Sequence, residues 1–375
     1  MEANDATNRS PIEGTAPQIA ALQQAAALKQ GGSPEALMGT MMAMLRARDG
    51  DIDQNEADQF IPLIQHMAER AELLVRRHLA EQVADLPTAP RGLLEFLAHD
   101  EIEVAQPLLE TSIAFGDDLL IEVIEDKGED HASAIAGRPQ VSKTVSGAII
   151  DTGAEQAIVI LLRNAGAEIE KSSFDRLKEV AKDNGFIQQA MIDRTDLPNV
   201  IAQQIFWSAR GALRQQILER FSIRPGQLDI LLEEAVDDGL LNPEIIGLRE
   251  EIETAISPTA ISTRMPVSKI IEHIKAGRVS DFAKGVSSYL SIGKHSVKRI
   301  LEDEGGEALA VLCRALDADR MQFTSVLLKN DYRRFGMPRP PGQIEQVSRI
   351  YDCISPGDAL ATVQMWDVLD AQMAA

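Results

Sequence analysis

"LAEQ" at Leu79–Gln82 returns as "LLET" at Leu108–Thr111, "IAGR" at Ile135–Arg138, "LLRN" at Leu161–Asn164, "MIDR" at Met191–Arg194 and "ILER" at Ile217–Arg220. Successive copies lie 29, 27, 26, 30 and 26 residues apart. Each opens with two apolar or small residues and closes with two that are mostly polar. A short turn containing Pro or Gly follows, and then a second apolar run such as "RGLLEFLA" from Arg91, "DDLLIEVI" from Asp117 or "GQLDILLEEAV" from Gly226. A period of this size holds two short helices and two turns, because a helical turn takes about 3.6 residues. One such hairpin cannot bury its own apolar face, so neighbours must stack on it. The expectation is an all-α fold: an α-solenoid over residues 75–238, followed by a C-terminal helical bundle. The β-branched run "AIVILLRN" from Ala157 also fits a buried strand. Its place at an anchor of the repeat favours helix.

Outward from the array, the spacing and turn residues divide the 375-residue chain into four parts. Residues 1–34, rich in Ala, Gln, Gly and Ser, read as a mobile tail. The array occupies 35–256, closing with a terminal helix from Asn242 to Ile256. "SPTAISTRMP", with two prolines, makes 257–266 a linker. Residues 267–375 contain seven candidate helices, with Ser280, Asp281 and Asp319 as possible caps.

The formal net charge is −21, and all of the excess lies before Pro266: residues 266–375 hold 14 Lys and Arg against 14 Asp and Glu. Such a surface repels phosphate backbones and disfavours nucleic acid as the array's partner. Two cysteines, Cys313 and Cys353, are too few for a disulfide framework and read as core thiols. No apolar run is long enough for a membrane span. The start "MEANDATNRS" lacks the basic and apolar regions of a signal peptide, so a cytoplasmic setting is expected.

No catalytic, cofactor or metal site emerges. Asp49, Asp51, Asp53 and Asn55 imitate the start of a calcium loop, but Gln54 and Phe60 stand where Gly and a bidentate Glu are required. The bland reading is an acidic turn in which Asp53 or Asn55 caps the helix that follows, itself interrupted by Pro62. The six histidines show no ligand spacing, and there is neither a Walker loop nor a dinucleotide fingerprint. One local feature suggests recognition. Lys329, Tyr332, Arg333, Arg334, Phe335 and Arg339 interleave cations with aromatics, and Lys294, Lys298 and Arg299 form a second basic patch. These nine are the candidate partner-binding residues.

Four segments resemble the bacterial family known as domain of unknown function 2336: "RRHLAEQVADLPTAPRGLLEFLAHDEIEVAQPLLETS", "HASAIAGRPQVSKTVSGAIIDTGAEQAIVILLRNAGAEI", "RTDLPNVIAQQIF" and "ALAVLCRAL". The resemblance covers about residues 70–320. The repeats are also similar to HEAT-like and leucine-rich-variant repeats. The resemblance implies a helical fold and carries no catalytic motif. The sequence therefore points to a non-catalytic scaffold or adaptor with a protein partner and no cofactor. Two alternatives stay open: an enzyme with a site between array and bundle, acting on a phosphorylated or nucleic substrate, and a signalling regulator that binds a phosphorelay protein.

Overall fold

The structure, a computed structural model, describes residues 34–244 and 265–374. The tail, the linker and most of the terminal helix expected at 242–256 lie outside the described residues. Within the described residues the fold is all-helical, and the only β pairing there is one isolated parallel bridge, Val141 to Ala167. The chain divides into two compact units, Met1–Ile169 and Glu170–Ala375.

In the first unit, α1 (Pro34–Arg46) and α2 (Gln54–Ala68) precede the repeats. Asp53 opens α2 with a capping box: its carboxylate accepts from Glu56 N at 2.8 Å, so the calcium-like turn is a helix start. α2 runs through Pro62 instead of breaking there. Then come α3 (Leu73–Ala84), α4 (Arg91–Ala98), α5 (Ile102–Thr111), α6 (Asp117–Lys127), α7 (Glu129–Ala136), α8 (Lys143–Asp151) and α9 (Glu155–Arg163). The "AIVILLRN" run is thus helical, in α9. α3 packs on α5, α5 on α7 and α7 on α9, while α6 packs on α7 and α8. Within this unit each helix that carries an anchor touches the next anchor helix.

The register explains this order. The two leading residues of every anchor are buried, from Leu79 and Ala80 through Ile217 and Leu218. In α5, α7 and α9 the residues four and three positions earlier are buried too: Val104 and Ala105, His131 and Ala132, Ala157 and Ile158. Positions i, i+1, i+4 and i+5 share one helix face. The residue five before each anchor lies on the opposite face and is exposed in every copy: Leu74, Glu103, Asp130, Gln156, Phe186 and Ala212.

The last polar residue of several anchors does something the spacing does not show. Arg138 donates to Leu109 O and, at 2.6 Å, to Ser112 O, the open end of α5. One repeat on, Asn164 donates to Ala136 O at 2.9 Å and Arg138 O at 2.7 Å, the open end of α7. A helix leaves its last carbonyls without intrahelical partners. Here the following repeat supplies them. Beside this contact the 138–141 and 164–168 loops pair, with Val141 N on Gly166 O at 3.1 Å and Glu168 N on Val141 O at 2.9 Å. A Cβ at Gly166 would fall 1.9 Å from Pro139 O, so only glycine permits the approach.

The second unit begins with α10 (Ser173–Ala181), α11 (Gly185–Asp193), α12 (Asn199–Ile205), α13 (Ala212–Arg220) and α14 (Leu228–Asp237). Arg220 repeats the capping contact, donating to Ile192 O at 2.6 Å and Asp193 O at 3.0 Å at the end of α11. After the undescribed stretch come α15 (Val267–Lys275), α16 (Val279–Leu290), α17 (Lys294–Glu302), α18 (Glu307–Ala315), α19 (Arg320–Phe335), α20 (Pro341–Cys353) and α21 (Pro356–Ala374). Asp319 caps α19 as expected, but Ser280 and Asp281 lie inside α16, which has no side-chain cap. α18 is buried on every side and packs against α17, α19, α20 and α21. Cys313 sits on it, its thiol pushed up to about 12 by burial; Cys353, contrary to expectation, is exposed. α21 buries most of its length, including Trp366, Leu369 and Asp370, and reaches α12, where Trp366 stacks on Phe206 at 4.8 Å.

Two consequences can be measured. Asn164→Ala strips two helix-end carbonyls of their partner and is expected to lower the urea-unfolding free energy by about 1–3 kcal/mol, whereas Gln156→Ala, on the exposed face, changes it by less than about 0.5 kcal/mol. Buried His131 bonds through Nε2 to Asp100 O at 3.0 Å, and desolvation holds its pKa below the ordinary value. The unfolded chain therefore takes up this proton first as pH falls, so stability is present above about pH 6.5 and declines below it. His131→Gln is expected to flatten that part of the stability profile; an unchanged slope between about pH 7 and 5 contradicts the assignment.

Candidate functional site

A cleft of about 1240 Å³ lies within the second unit. One wall comes from α10 and the α12–α13 turn, with Lys178, Lys182, Trp207 and Arg210. The other comes from α17 and the loop after it, with His295, Lys298, Arg299, Glu302 and Glu304. Residues of α20 and the end of α21 complete the rim.

The floor is an ion cluster. Arg214 Nη1 lies 2.8 and 2.9 Å from the two carboxylate oxygens of Asp303 and 3.0 Å from Glu307 Oε2, with all three side chains almost fully buried. Its Nε donates to Ala209 O at 2.7 Å, and the guanidinium lies 4.8 Å from the Phe206 ring. The chain makes room for this group with consecutive glycines. A Cβ at Gly305 would meet Glu307 Oε2 at 1.8 Å and Arg214 Nη1 at 2.6 Å, and Gly306 has φ +84°. Beside it, Arg299 lies 4.0 Å over the Trp207 ring and pairs with buried Asp370. Asp367, one turn earlier on α21, receives Gly293 N at 2.8 Å and Ser296 Oγ at 2.6 Å, which caps the start of α17. Burial raises its pKa despite those two bonds.

The nine residues singled out in the sequence divide into two groups. Four guanidinium groups are engaged within the fold. Arg299 pairs with Asp370; Arg333 donates to Leu301 O at 3.1 Å; Arg334 donates to Asp303 O; Arg339 forms a two-pronged pair with Asp331 at 2.9 and 2.7 Å and reaches Gly305 O. The "DYRRFGMPRP" cations therefore cap the end of α17 and hold the loop beneath the cleft. Lys294, Lys298, Lys329, Tyr332 and Phe335 remain exposed. Of the nine, only Lys298 and Arg299 line the cleft. Sequence reasoning missed Arg214, Asp303 and Glu307. The one signal available was "DEGGE", whose glycine pair marks a close approach.

A family model described as "Uncharacterised protein conserved in bacteria (DUF2336)" matches residues 104–364, more than half of the chain. The chain belongs to the DUF2336 family. The match begins in α5 and ends in α21, so for this DUF2336 chain it takes in the capped repeats, the ion cluster and the buried α18 together. No curated protein and no solved structure matches it. Among the described residues no group of three or more His, Cys, Asp or Glu could hold a metal ion, and no helix is long and apolar enough to cross a membrane.

In this DUF2336 chain two of the cleft's lysines are turned to near neighbours. Lys178 Nζ bonds Asp175 at 2.8 Å and Gln204 at 3.0 Å, and Lys298 lies 3.9 Å from Glu302. Removing one partner from a buried ion cluster leaves an uncompensated charge. Arg214→Met is accordingly expected to cost about 3–5 kcal/mol in chemical unfolding, against less than about 1 kcal/mol for Lys298→Met in its exposed pair. Comparable losses for the two variants contradict the role given to the cluster.

Proposed function

We propose that this protein is a non-catalytic interaction scaffold: an α-solenoid of HEAT-like hairpins that presents its exposed rows to a protein partner, with the C-terminal helices forming a bundle that adds a second contact. The observation that carries this reading is the register of α3, α5, α7 and α9. Buried positions are occupied by apolar or small side chains, with His131 the exception, and these fix the stack. The exposed position five before each anchor varies freely, as Leu74, Glu103, Asp130 and Gln156. A rigid row of chemically different side chains at constant spacing suits recognition of an extended partner surface. The cleft supports the same reading over an enzymatic one. Its strongest charges are held against one another in the Arg214 cluster and do not converge on a space where a substrate would react.

The test is affinity capture with the full chain from a lysate of the bacterium that encodes it, in parallel with a Glu103→Lys, Asp130→Lys double variant. Recovery of a stoichiometric protein by the wild-type chain, lost with the variant, is the expected result. Absence of any stoichiometric protein across a range of salt concentrations overturns the proposal.

A further inference from the structure

α19 turns a row of side chains away from its packed face, with the Phe335 ring under the Arg334 guanidinium at 4.8 Å. Its inner face is fixed: Phe323, Val326, Leu327, Asn330 and Asp331 are buried, Asn330 Nδ2 bonds Leu301 O at 2.9 Å, and Asp331 holds Arg339. On the other side Met321, Ser325, Leu328, Tyr332 and Phe335 follow at steps of four, three, four and three residues, Ser325 and Leu328 half-buried and the other three exposed. That spacing averages 3.5 and sets them along one stripe, as in the seam of a coiled coil. Met321 is 80% exposed, Tyr332 57% and Phe335 48%, and Met337, just beyond the helix, is 63% exposed. Three of the four are large apolar side chains and the fourth a tyrosine, within five turns of a rigid helix. Isolated exposed apolar residues need no explanation, but a seam at heptad spacing does.

The charges beside the seam say what fits it. Lys329 is exposed, and the Arg333 and Arg334 guanidinium groups donate to the carbonyls of Leu301 and Asp303, not to carboxylates. Among the described residues neither is held in an ion pair, and Arg333, whose nearest opposing charge is Glu302, is exposed beside the stripe. Arg320 and Arg339, by contrast, are paired with Asp352 and Asp331. A second copy of the chain is a poor occupant. Antiparallel pairing centred on Leu328 would bring Lys329 against Lys329, and like charges at such a seam oppose association. We infer that the α19 stripe is a docking seam for an acidic amphipathic helix of a partner protein, its apolar side on Met321, Leu328, Tyr332 and Phe335 and its carboxylates toward Lys329 and Arg333 on the flank of the stripe. Because α19 is already ordered, only the incoming helix loses conformational freedom on binding. This rests on the scaffold reading and names the chemistry of its second contact.

The probe is a fluorescent synthetic peptide of about three heptads with Leu at a and d and Glu at e and g, compared with the same peptide carrying Lys at e and g. Fluorescence anisotropy with the full chain is expected to show binding of the Glu peptide only. Raising salt to about 0.5 M should weaken it, since screening acts on exposed pairs. A Met321→Asp, Tyr332→Asp double variant, folded by circular dichroism because both side chains are exposed, should bind about tenfold or more weakly. Equal binding of both peptides, unchanged binding by the variant, or no binding at all overturns the seam. So does sedimentation showing a dimer that the double variant disrupts, which would give the seam to a second copy. The capture experiment with Glu103 and Asp130 reports on the array independently, so the scaffold reading can survive the loss of this one.

Discussion

Short helices have a problem at their ends: the last carbonyls point out of the helix with nothing to accept from, and in helices of eight to ten residues such as α5, α7 and α9 these groups are a large share of the backbone. The chain answers it between repeats. Arg138 closes α5, Asn164 closes α7 and Arg220 closes α11, each from the fourth position of the next anchor. The same neighbour covers the apolar side. Polar and apolar demands therefore enforce one spacing, which accounts for a repeat period that wanders by only a few residues while the surface side chains change freely.

In the second unit a different constraint rules. α18 and most of α21 are buried, so they can exist only where other helices surround them. The charges that had to enter with them are neutralised in place: Arg214 by Asp303 and Glu307, Asp331 by Arg339. In buried ion clusters of this kind desolvation offsets much of the attraction, while loss of one partner leaves an uncompensated charge. Gly305 and Gly306 are part of the same solution, since side chains there would occupy the space of two guanidinium groups.

Much of this was legible in the residues. Helix, and not strand, at Ala157–Asn164 followed from its place at an anchor; Asp53 and Asp319 as caps followed from their side chains; all seven C-terminal helices followed from apolar spacing. What stayed hidden depends on partners distant in the chain. Arg138 and Asn164 look like ordinary polar helix ends until the carbonyl some 26 residues earlier is placed beside them. The run of arginines at 333–339 read as a basic surface because a sequence shows charge and not direction, yet three of its guanidinium groups turn inward to carbonyls or to Asp331. Cys353 read as a core thiol from its apolar neighbours, but it ends α20 facing solvent. Leu74 and Phe186, apolar at an outward position, could be recognised as exposed only once the anchor register was known.

The account stands or falls on nearest-neighbour support between repeats. Leu108, fully buried in α5 between α3 and α7, is the place to perturb it. Hydrogen exchange followed along the backbone of a Leu108→Ala variant should accelerate in α3, α5 and α7 and leave α9 at its wild-type rate, as a serial stack requires. Uniform acceleration through α3 to α9 would mean that the helices share one undivided core, and the stacked-repeat description would be wrong.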